Sequence, residues 1–168
     1  DGGVLHVTES MALDSRRTLF LGGNGGTLRV DAGNTLTVDG LISGEYNHVH
    51  SGNGYNQSNT LGASEDASFI GNPDIGDLVI DGGGMVLLRY SPAGDGSTPA
   101  NIGHTYGGIT WIDKGVLRLQ GVGSTNVGAL GTNRSFLDST VISPDGTLDL
   151  AYSASVSIHE WLTLTGTG

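Results

Sequence analysis

The chain has 168 residues and a net charge of −10, and 30 of its residues are glycine. Glycine at more than twice its usual share, without a Gly-X-Y period, excludes collagen, and regularly recurring Leu, Val and Ile exclude a disordered chain. A single lysine, Lys114, among scattered arginines excludes a nucleic-acid binder, and the lack of cysteine excludes disulfides, thiolate metal sites and a cysteine nucleophile.

No apolar run approaches the roughly 18 residues of a membrane helix. Period-two alternation, in short bursts closed by Gly, Asp or Asn, dominates instead and predicts strands. In chain order, Leu28 and Val30 share one face of the first clear strand, with Thr27, Arg29 and Asp31 on the other. After the turn at Ala32, Gly33 and Asn34 the pattern returns with Leu36 and Val38. A polar stretch over 43–68 follows, rich in Gly, Asn and Ser, and is read as a loop insertion. Inward pairs resume at Leu78 and Ile80, then at Val86 and Leu88. The stretch 91–104, with Pro92, Pro99, Gly94 and Gly96, cannot be a central strand and is read as a second loop. Beyond it come Leu117 with Leu119, Leu148 with Leu150, Val156 with Ile158, and Leu162 with Leu164.

Inward pairs about eight residues apart give a short strand plus a turn, a spacing that an antiparallel sandwich also allows. Short, even strands with Thr, Ser, Asp and Arg outward and Gly and Asn at corners favour a parallel β-helix. Self-similar units such as 26–31, 115–119 and 146–150 are the mark of a solenoid whose aliphatic residues stack into one internal column. The expected fold class is therefore all-β, a β-solenoid with two loop excursions and almost no helix. The alternating run 163–168 stops abruptly, so residues 1–168 are expected to be one segment of a longer repeat protein.

The segment from Arg17 to Val30, continued by Asn34 to Gly44, resembles the autotransporter-associated β-strand repeat of bacterial passenger domains. Gly76 to Leu88 is similar to that family's paired strands around a glycine turn. Thr105 to Leu119 resembles its Tyr-x-Gly-Gly turn between strands, and Ser139 to Gly166 the part that closes one unit and begins another. The resemblance implies a right-handed parallel β-helix, exported across the bacterial outer membrane through a translocator, and it brings no shared catalytic residues. A chain without disulfides suits such an export route.

Four groups of residues are candidates for chemistry. Asp31, Asp39, Asp77, Asp81, Asp113 and Asp149 have the composition that β-helical polysaccharide lyases and hydrolases use for calcium binding or proton transfer. Four of them, Asp31, Asp39, Asp81 and Asp113, close strands, where Asp bonds its own backbone in the turn, and that reading is preferred. His48 and His50, with His104 elsewhere, could share a face toward zinc or copper, but no partner ligand accompanies them. They are read as hydrogen-bonding surface groups, with no metal or other cofactor. The run 22–26 lacks the Asp of a calcium repeat and the helix of a phosphate loop, and is read as a turn. Among Tyr46, Tyr55, Tyr106, Trp111 and Trp161, the first two stand in the insertion where stacking on a sugar ring is best placed. The expected binding residues are thus Tyr46, His48, His50 and Tyr55.

The expected function is non-enzymatic: an extracellular or cell-surface stalk, adhesin or filament. Its coil ends would associate head to tail, and a host or matrix surface or glycan would be its partner. The alternatives are a polysaccharide lyase or hydrolase of the same architecture and a glycan-binding module using the 43–68 loop. An enzyme requires three or more carboxylates converging beside a basic residue.

Overall fold

The computed structural model describes residues 2–44, 76–90, 104, 106–121, 130, 139–151 and 161–166. Those residues are all-β, with no helix among them. The strands are β1 (Gly3–Val7), β2 (Met11–Leu13), β3 (Leu19–Leu21), β4 (Gly26–Val30), β5 (Thr35–Val38), β6 (Ile42–Gly44), β7 (Leu78–Asp81), β8 (Met85–Tyr90), β9 (Thr110–Gly121), β10 (Ser139–Leu150) and β11 (Trp161–Leu164).

Every ladder among the described strands is parallel. An antiparallel sandwich is therefore excluded. The chain returns repeatedly to the same face, in windings of unequal length: Gly3 lies beside Gly26, Gly26 beside Leu78, Leu78 beside Thr110, Thr110 beside Thr140, and Thr140 beside Leu162. The winding that begins at Gly3 and returns at Gly26 holds three strands, β1, β2 and β3. The first face stacks β1, β4, β7, the start of β9, the start of β10 and β11. The second stacks β2, β5, β8 and the later halves of β9 and β10. A third, shorter face pairs β3 with β6. Together they make a nearly closed sheet of solenoid-like topology.

Alternation places the core. Leu28, Ile80, Ile112 and Ile142 lie in register on the first face. Leu36, Val86 and Leu117, and beside them Val38, Leu88 and Leu119, do so on the second. All are buried, as expected from their pairing. Each such side chain withdrawn from water contributes roughly 1.5–3 kcal/mol, which makes the aliphatic column the main stabilising element.

The corners explain much of the glycine. Gly115 turns β9 from the first face to the second at φ 96°, and a Cβ there would stand 2.5 Å from the Gly84 carbonyl oxygen of the preceding winding. Gly25 makes a different corner, between β3 and β4, at φ 71°, with the Asp77 carbonyl oxygen 2.6 Å from where its Cβ would be. Only glycine accepts both the left-handed backbone and that approach. The corner amides then bond along the stack, Val116 N–H to Gly84 O at 2.9 Å and Gly26 N–H to Asp77 O at 2.8 Å.

Three expectations change. Leu150, Leu162 and Leu164 are 43%, 45% and 79% exposed, and Leu148 is only partly buried. Leu164 is in register with the buried Ile142, so it faces as alternation requires, but among the described residues no strand lies on the far side of β11 to cover it. Val156 and Ile158 lie outside the described residues. The outward rows are also less polar than expected: Val79, Met85, Leu87, Val116 and Val141 alternate with the core positions and are half-buried. Conversely, Thr110 and Thr140 point inward and are fully buried. Ser43 and Gly44 belong to β6, and the rest of the 43–68 stretch, like 91–103, lies outside the described residues.

Candidate functional site

The acids singled out from the sequence do not converge. All six bond a side chain, or in one case also a backbone amide, of a different winding. Arg29 on β4 pairs with Asp81 on β7 at 3.2 Å, its register partner. Arg118 on β9 pairs with its register partner Asp149 on β10, Nε to Oδ2 at 2.7 Å. Arg89 on β8 grips Asp39, beyond β5, with Nε and Nη2 at 2.9 and 3.2 Å. His6 on β1 reaches Asp31 at 2.8 Å. Asp77, immediately before β7, is buried, and its carboxylate accepts the Ile109 N–H at 2.7 Å and the Trp111 indole N–H at 3.4 Å.

Asp113 is bonded more weakly, accepting the Ser143 hydroxyl of β10 at 3.3 Å. The turn reading of the strand-end acids is therefore corrected. Their carboxylates look along the stack to another winding rather than back to their own turn, because parallel in-register strands bring a hydrogen-bonding side chain (Arg for Asp39 and Asp81, His6 for Asp31, Ser143 for Asp113) within reach. A local Asp turn occurs instead at Asp14, whose carboxylate accepts both the Arg16 backbone N–H and its guanidinium. The Arg16 side-chain bond holds Asp14 below the ordinary carboxylate range.

A second cluster is buried where the third face meets the first. His104 is 4% exposed, and its Nδ1 accepts the Ile42 backbone N–H at 3.0 Å. Tyr106 is fully buried, with its ring centroid 6.5 Å from that of His104 and its hydroxyl 2.6 Å from the Thr110 Oγ1. The Thr110 hydroxyl lies 3.4 Å from the Leu130 carbonyl oxygen. Gly44 leaves room for this packing, since a Cβ there would meet the Tyr106 Cβ at 3.0 Å. Burial pushes the His104 imidazole down to about 4, since desolvation disfavours the cation.

Tyr46, His48, His50 and Tyr55, the expected binding residues, lie outside the described residues. Of the other aromatics, Trp111 faces outward on β9 half-buried, and Trp161 opens β11 at 69% exposure. Among the described residues no three His, Asp or Glu side chains form a group that would hold a metal ion. Sequence reasoning missed the roles of His104, Asp77 and Thr110. For Thr110 a signal existed, since it shares parity with Ile112 as Thr140 does with Ile142. For His104 and Asp77 none did: their partners are distant in the chain. Compared with known protein families, with curated proteins and with solved structures, the chain matches none.

Proposed function

We propose that the chain is a segment of a right-handed parallel β-helix in an autotransporter-like bacterial passenger, serving outside the cell as a non-enzymatic stalk, adhesin or filament. The observation that carries this reading is the use of charge. Arg29, Arg89 and Arg118 are each committed to a carboxylate of another winding, so these outward ions join one winding to the next rather than assemble around a substrate. A rigid column of this kind holds binding segments away from a surface. Its outer edges, β1 and β11, are each paired on one side only among the described strands and would take further parallel strands, including those of a second copy.

Two measurements test the reading. Antibody raised against the chain is expected to label intact cells that produce the full-length protein. Labelling confined to permeabilised cells would remove the surface role. The purified chain is expected to leave uronate-containing and neutral glycans at their original length. Release of new chain ends from any of them would replace the stalk with an enzyme of the same architecture.

A further inference from the structure

The third face is built differently from the other two. Leu19 N–H bonds the Leu41 carbonyl across to the next winding at 2.9 Å, as a parallel ladder requires. On the opposite side of β6, the acceptor for the Ile42 N–H is the His104 imidazole instead of a backbone carbonyl. An N–H can only donate, so Nδ1 is the unprotonated nitrogen and the ring carries its proton on Nε2. The third face therefore hangs, at this winding, on a group that loses its acceptor when it takes up a proton.

We infer that His104 is an acid-sensitive latch: protonation at Nδ1 sets two donors against each other at Ile42 and releases the third face at β6 while the other two faces stay closed. The inference is independent of the surface-stalk reading, because it rests only on the bond and its surroundings. β6 contributes no titratable side chain, and neither does β3 behind it. On the His104 side, among the described residues, the Tyr106 phenol is bonded to Thr110, and the Asp77 carboxylate is occupied by Ile109 and Trp111. No carboxylate is seen to stabilise an imidazolium here, and the cation must be rehydrated to persist. The second face has no such group in its ladders, where backbone bonds run from β2 through β10.

The test is hydrogen exchange on the intact chain, read by NMR and corrected for the intrinsic rate at each pH. Between pH 7.5 and 4.5 the Ile42 amide is expected to lose protection on the order of 50-fold, while Leu117 on the second face changes little. In His104→Asn, whose amide oxygen can accept the same bond without titrating, Ile42 protection is expected to stay flat over this range. Constant Ile42 protection in the parent chain would overturn the latch, as would an equal loss in His104→Asn or an equal loss at Leu117. Should His104→Asn fail to fold, the ring signals of His104 in the parent chain decide. Titration far below the ordinary histidine value supports the latch, and titration at that value overturns it.

Discussion

Single residues carry the geometry of the corners and of the third face. Gly115 combines a left-handed backbone with a close approach to Gly84, so Gly115→Ala should cost about 2 kcal/mol or more, measured by denaturant unfolding. The same substitution at Gly3, where a Cβ meets nothing within 4 Å, should cost far less. His104 adds a pH dependence whose sign is unusual for histidine. Its folded value, about 4, lies below the unfolded value of about 6.5, so its contribution is complete above pH 6.5 and is lost as pH falls toward 4. Relative to His104→Asn, the parent chain should lose about 3 kcal/mol of stability between pH 7 and pH 4. An identical pH dependence in the two proteins would contradict this. At this scale the sequence was legible for position but not for partner. The placing of Asp31, Asp39 and Asp81 at strand ends follows from local pattern, whereas His6, Arg89 and Arg29 stand at separations that alternation does not encode.

At the scale of elements, period-two alternation was sufficient. The core pairs in β4, β5, β7, β8 and β9 are those that the spacing of aliphatic residues predicts, because a strand with one buried face has only one register that buries it. Alternation failed where burial depends on a neighbour rather than on the strand itself. Leu162 and Leu164 have the right parity and lack cover, and Val79, Met85 and Leu87 are half-buried although they face outward. Nor did local pattern reveal that β9 and β10 each run through two faces, bent at Gly115 and at the extra residue between Ile142 and Asp145. These elements rank their contributions clearly. Leu117→Ala removes a fully buried side chain from the second face and should cost about 3 kcal/mol. Arg118→Ala breaks a half-exposed pair with Asp149 and should cost about 0.5 kcal/mol, a difference that fades in high salt. Comparable losses would show that the outward pairs, not the column, hold the windings together.

For the molecule as a whole, the parallel stack explains why glycine is abundant and charge is sparse. Windings need tight corners, and Arg29, Arg89 and Arg118 each find a carboxylate one winding away. The candidate site was less legible than the fold. Tyr46, His48, His50 and Tyr55 are outside the described residues, and the bond that ties His104 to Ile42 spans 62 positions of the chain. The central claim is that neighbouring strands run the same way in register, and the absence of native cysteine makes it directly measurable. Paired substitutions to cysteine, Thr27→Cys with Val79→Cys and Arg29→Cys with Asp81→Cys, join register partners on β4 and β7. Both pairs should oxidise readily to intramolecular disulfides, because parallel partners keep their Cα atoms within bridging distance along the whole ladder. Arg29→Cys with Asp77→Cys, the pair that an antiparallel arrangement centred on Thr27 and Val79 would bring together, should not; rapid bridging there with none between positions 29 and 81 would contradict the parallel stack.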